Sequence, residues 1–238
     1  MLYTVRSTRG MATSPHRLAT EAGLRVLREG GTAVEATIAM GACLAVVYPH
    51  MTAIGGDGFW LISKDGQVPV AIDACGAAAA AATEDLYRSK GLSAVPWRGP
   101  LAANTVAGAV SGWGEALRLS NELGGRLPLS RLVEDAVFHG ESGFPITASQ
   151  EETTAEKLSQ LADAPGFANV YLEGGKAPAE GRLMRLPALA RTLKRIGEQG
   201  AEDFYRGALA RDIAADLARI GQGVAVAPDD EMTLFEAE

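Results

Sequence analysis

The chain has 238 residues, 47% of them hydrophobic and 21% charged, a globular composition with material for a sizeable core in one domain or two at most. Its 22 basic and 29 acidic residues leave a formal charge of −7, and with no Lys/Arg cluster the balance argues against a nucleic-acid partner and for a small molecule or another chain. Two cysteines, Cys43 and Cys75, are too few to staple a chain of this size and lie outside any CxxC-type spacing, so a reducing compartment is expected.

In chain order, MLYTVRSTRGMATS lacks the charged-then-apolar pattern of a secretory signal, and no apolar run reaches the ~18 residues of a membrane span; a cytoplasmic protein with no membrane contact is expected. TSPHRLATEAGLRVLREGG predicts a helix with Ser14 as N-cap, Pro15 in the first turn and a stop at Gly30-Gly31. Leu18, Ala19, Ala22, Val26 and Leu27 share one face of it. The next run, residues 32–49, is apolar on nearly every side and ends at Pro49, which predicts a buried helix. FWLISK and VPVAIDAC read as two strands joined at Lys64-Asp65-Gly66-Gln67, with Asp-Gly as the hairpin signal. The alanine block 77–82 with TEDLYRSKG predicts a short helix closed by Gly91. Beyond the Pro/Gly-rich connector 96–108, helices are expected near 110–123, 129–140, 147–162 and 187–220, with a loop-like stretch before the last. Helices, a hairpin and then mostly helices make an α+β arrangement, taken here as a single domain over 1–238. VAVAPDDEMTLFEAE stops within an amphipathic stretch, which suggests a piece of something longer.

PHMTAIGGDGFW places glycines at 55, 56 and 58 between the buried helix and the first strand. A phosphate cradle needs a strand before its glycines and a helix after them. Here the order is inverted. A tight turn, or a close backbone approach needing residues without Cβ, is the better expectation. Asp57 inside it is expected to bond backbone N–H groups. His16 and His139 have cap or surface explanations and His50 is expected to pack beneath the turn; their scattered spacing offers no metal site, and no cofactor is expected.

Residues 11–62, then NTVAGAVSGWGEAL (104–117) and LVEDAVFHGESGFPIT (132–147), closely resemble the front of the large subunit of the γ-glutamyltranspeptidase family. The resemblance implies an N-terminal nucleophile hydrolase with an αββα sandwich, made as a proenzyme that cleaves itself. It implies that the newly exposed Thr of a small subunit is the nucleophile, with its own amine as base. No catalytic residue is then expected in this chain, and the small subunit is its expected partner.

The departure from the family lies at Cys75. Typical γ-glutamyl enzymes carry an Arg there for the substrate α-carboxylate, and a thiol offers neither its charge nor its fork of donors. DACG with a following RGP resembles the oxamate amidohydrolase branch, which acts on a very small amide-acid. Arg98 is the candidate to supply a carboxylate clamp instead, against the plainer reading of a solvated charge. Cys75 is expected to line the substrate pocket or to be a small buried hydrophobe, and a reactive thiol is disfavoured. Asp57 is the third candidate substrate contact. Two readings stand: an amide-hydrolysing enzyme subunit, with γ-glutamyl transfer as its variant, and a fragment or degenerate homologue without chemistry.

Overall fold

The computed structural model describes residues 4–219. Helix α1 (Arg17–Arg28) and helix α2 (Ala33–Val47) form an antiparallel pair at the centre. Alanines 19 and 22 with Val26 bury one face of α1, whereas α2 is buried almost all round, from Val34 to Val47. Thr32 caps α2: its hydroxyl accepts from the Glu35 N–H at 3.1 Å while the Glu35 carboxylate accepts from the Thr32 N–H at 2.6 Å, the reciprocal pairing that satisfies two end donors at once. Glu35 is fully buried, and its other oxygen accepts from the backbone of Arg126 at 2.7 Å and Leu127 at 2.8 Å. One carboxylate thus closes a helix end and pins a distant loop.

The hairpin follows as β1 (Gly58–Ile62) and β2 (Val70–Ala74), antiparallel with Trp60 opposite Ile72. Its turn forms as the Asp-Gly pair predicts: Gln67 N–H donates to Lys64 O at 3.0 Å and Gly66 takes a φ of +74°. Trp60, Ile62, Ile72 and Ala74 face the helices, while Phe59 and Leu61 on the other face are 72% and 78% exposed. Strand alternation explains the split.

A short helix α3 (Glu84–Ser89) precedes α4 (Ala109–Glu122), which packs across both α2 and the hairpin. Helices α5 (Leu129–Leu132) and α6 (Glu134–Ser142) then lead into β3 (Phe144–Pro145), α7 (Ala148–Leu161) and α8 (Phe167–Tyr171). Strand β4 (Leu183–Met184) pairs with β3, and α9 (Pro187–Gln199) and α10 (Ala208–Arg219) complete the described residues. The core runs from α1 and α2 through Trp113, Leu132 and Phe144 to Leu193 and Ile196.

Four local expectations need correction. His16, not Ser14, caps α1: its Nδ1 accepts from the Leu18 N–H at 3.2 Å, while the Ser14 hydroxyl donates to His16 O at 2.8 Å. The alanine block 77–82 is not helical, because Ala77 and Ala79 pair their backbones with residues 104–106. The helix expected over 187–220 is broken after Gln199, where Gly200 takes a φ of +89° and a 3-10 turn, Ala201–Phe204, intervenes. The loop-like stretch before it holds α8. The terminal stretch VAVAPDDEMTLFEAE lies outside the described residues.

Candidate functional site

The glycine turn and the end of β2 meet beside the start of α4. Asp57 leaves the turn and accepts the Gly76 N–H at 3.1 Å, and Asp73 accepts the Cys75 N–H at 3.0 Å. The turn is tied to α4 by the Ala109 N–H, which donates to Gly56 O at 2.8 Å. Asp57 therefore does what an Asp in a turn is expected to do, except that its partner belongs to a different segment. The structure brings Asp57 and Cys75 together.

Cys75 is exposed, and loss of solvent together with the charge and hydrogen bond of Asp57 and the charge of Asp73 pushes its thiol up. A thiol held protonated is a poor nucleophile, so the position suits lining rather than attack. Cys43 is buried in α2 and pushed up further, to about 12, chiefly by burial.

The three turn glycines are not where crowding occurs. None of them adopts the left-handed region, a Cβ at Gly55 or Gly56 would meet nothing within 4 Å, and one at Gly58 would make an ordinary 3.5 Å contact with Ala109. The close approach lies across from them. A Cβ on Gly76 would fall 1.4 Å from Val106 O, and one on Gly108 would fall 2.0 Å from Ala74 O. Residues 74–79 and 104–108 lie backbone against backbone, held by Val106 N–H to Ala77 O at 2.9 Å and Ala79 N–H to Asn104 O at 3.0 Å. Tyr205 steadies the same segment, donating to Ala107 O at 2.7 Å and accepting the Ser111 N–H at 2.8 Å. The sequence did carry a signal, since Gly108 and Gly112 are four apart where α4 begins, the spacing of one helix face.

Arg98 keeps different company. It follows the exposed Trp97 in the connector, and its Nε donates to Gln160 Oε1 on α7 at 2.8 Å. With His50, Gln150, Lys157, Phe167 and Tyr171 it lines a cavity of about 240 Å³. His50 lies at the C-terminal end of α2, its ring edge-on to Tyr48 at 4.3 Å and its Nε2 3.2 Å from Ser149 Oγ. Burial holds His50 below the usual histidine range. Sequence reasoning missed this cavity because its residues come from three separated segments.

A helical layer packed on one face of an antiparallel hairpin, with the glycine turn at their junction, makes an α+β fold, and solved γ-glutamyltranspeptidases, which are N-terminal nucleophile hydrolases, share it. The γ-glutamyltranspeptidase of Helicobacter pylori superposes with a TM-score of 0.85 at 32% identity, covering 97% of this chain and 65% of that one. Residues 19–230 match the family model of gamma-glutamyltranspeptidase, and the chain belongs to that family. An oxamate amidohydrolase proenzyme of Klebsiella pneumoniae is 51% identical over 219 residues, 92% of this chain. A glutathione hydrolase-like YwrD proenzyme of Bacillus subtilis is 40% identical over 222 residues, 93% of this chain. The chain spans 41% of the length of each of these two relatives.

Proposed function

We propose that this chain is the front of the large subunit of an autoprocessed cytoplasmic amidohydrolase, folded as one domain, that hydrolyses a small amide-acid such as oxamate. The nucleophile is an N-terminal Thr of the partner subunit, which forms an acyl-enzyme that water then releases. Asp57 and Cys75 line the substrate pocket. Arg98 binds a carboxylate in the cavity against α7. The observation that carries the substrate choice is Cys75 itself: it stands beside two carboxylates, Asp57 and Asp73, where a γ-glutamyl enzyme needs a cation. At that position the chain offers no guanidinium fork to the α-carboxylate that a glutathione-type substrate would bring. The 51% identity to an oxamate amidohydrolase proenzyme supports the same choice.

γ-Glutamyl hydrolysis is the second reading, favoured by the relative named glutathione hydrolase-like. Ammonia release from oxamate, compared with release of glutamate from glutathione by the same processed protein, decides between them. The proposed reading expects kcat/KM at least tenfold higher for oxamate, and the reverse ratio overturns it. Denaturing mass analysis of the complete protein is expected to give a second chain starting with Thr. A single chain would leave the reading without its nucleophile.

A further inference from the structure

The cavity between the Pro49-His50 turn, the Arg98 connector and helices α7 and α8 is built unlike the surface around it. In a chain with seven more acidic than basic residues, two cations, Arg98 and Lys157, line it and, among the described residues, no carboxylate does. Arg98 commits its Nε to Gln160 and keeps the two terminal nitrogens of its fork. Lys157 is paired only with the exposed Glu156, its sequence neighbour, and such pairs are easily exchanged. A fork of donors beside an ammonium matches a carboxylate.

A second observation is independent of the charges. Gln150 is 3% exposed, lines the cavity, and donates its amide nitrogen to Met184 Sδ at 3.2 Å, while its Oε1 has no hydrogen-bond partner. A buried amide oxygen left unpaired is costly, and what satisfies it must be an N–H or O–H group. His50, another lining residue, has its Nδ1 likewise buried and unpaired. The rings of Phe167 and Tyr171, with centroids 5.4 Å apart and tilted by 34°, supply an apolar side.

We propose that this cavity binds a small carboxylate that carries an N–H or O–H donor and a flat apolar group, with Arg98 and Lys157 on the acid, Gln150 on the donor and Phe167 and Tyr171 on the flat group. This deepens the role given to Arg98, and it rests on the amidohydrolase reading only for the source of the ligand.

The test is calorimetric titration of the complete processed protein with hippurate, which joins a ring, an amide N–H and a carboxylate, and with the ester analogue in which oxygen replaces that N–H. Saturable hippurate binding is expected, weakened about tenfold in Arg98→Ala, an exposed position whose change leaves the core intact. The ester is expected to bind wild type about tenfold more weakly than the amide and to bind Gln150→Leu as well as the amide does, one lost hydrogen bond being worth about that factor. Absence of saturable binding, or unchanged affinity in Arg98→Ala, overturns the proposal. So does an amide-over-ester preference that survives in a folded Gln150→Leu, and the cavity then holds solvent. Hippurate that competes with the hydrolysed amide identifies the ligand as the substrate's acid end, and hippurate that binds without competing identifies a separate acid; both uphold the site. A protein that hydrolyses oxamate and binds no hippurate keeps its function and loses this inference, while the opposite pair of results does the reverse.

Discussion

Gly76→Ala is expected to be among the most damaging single-methyl additions in the chain, although Gly76 has an ordinary φ and α4 begins more than thirty residues away. The new Cβ would sit 1.4 Å from Val106 O and 2.6 Å from Val106 C, against a floor of 3.0 Å for real contacts. Both partners are backbone, so no rotamer change relieves the clash. The two segments must part, which breaks the hydrogen bonds from Val106 to Ala77 and from Ala79 to Asn104, each worth about 1 kcal/mol. Strain of the overpacking kind adds about 1–3 kcal/mol. The lower entropy of an unfolded chain with Ala in place of Gly offsets at most about 1 kcal/mol. The net loss is about 2–4 kcal/mol, a large part of the 5–15 kcal/mol that typically holds a domain. Thermal unfolding of the complete protein is expected to move down by a few degrees, with Gly55→Ala as the control because its Cβ meets nothing within 4 Å. If the Gly76 variant melts with the control, the backbone pairing of 74–79 with 104–108 is not the constraint described here.

The same Gly55→Ala variant reads function separately. Its stability is expected to stay within about 0.5 kcal/mol of wild type, while kcat/KM falls at least tenfold if the open side of the turn faces substrate; unchanged turnover would take the turn out of the site. Glu35→Gln replaces a carboxylate that accepts three backbone N–H groups with an amide that can accept at only one end, so a loss of about 2–4 kcal/mol in urea unfolding is expected, and a loss near zero would mean the loop at Arg126 is held by something else. All three histidines, His16, His50 and His139, are held below the ordinary histidine value of 6.5, burial being the first cause in each. Their unfolded forms therefore bind protons first as the pH drops. Stability is undiminished above about 6.5 and declines from there toward the lower folded values; His139→Asn should flatten that slope in melting curves taken between about pH 7.5 and pH 5. Thiol labelling is expected to modify exposed Cys75 and spare buried Cys43 in the native protein, and bound oxamate should slow the reaction at Cys75 if that residue lines the pocket.

Period and punctuation made much of the fold legible. The unbroken apolar character of residues 32–49 identified α2, and Asp65-Gly66 fixed the hairpin, because in both cases the signal and the structure it specifies are local. The misread places share a cause. Ala77 to Ala82 have high helix propensity, yet the backbone of Ala77 and Ala79 is claimed by residues 104–106, a long-range pairing that overrides propensity. Gly200 lies inside the helix expected over 187–220, and its φ of +89° marks the terminus that divides it. Asp57 was named from its place in the glycine turn and Cys75 from the family resemblance, and the structure brings the two together, but the cavity around Arg98 was not foreseen. His50, Arg98 and Gln150 are separated by about fifty residues at each step, and no periodicity links them.

The hairpin also explains why the site is legible only in part. Its inner face is covered by α4, while Phe59 and Leu61 stand 72% and 78% exposed on the outer face, in register with Asp73 and Ala71. Apolar strand residues this open, next to a glycine turn that leaves Gly55 and Gly56 with nothing within 4 Å, mark a surface shaped for more protein than the described residues supply. Crowding and openness are thus divided across one junction: backbone presses on Gly76 and Gly108, whereas nothing among the described residues presses on Gly55 and Gly56. The pair that is tight sets the geometry of Cys75 and Asp57. Under the proposed function the pair that is open is where a Thr-bearing partner and a small substrate meet them, so substitutions at the first pair should lower stability and activity together, and substitutions at the second should separate the two.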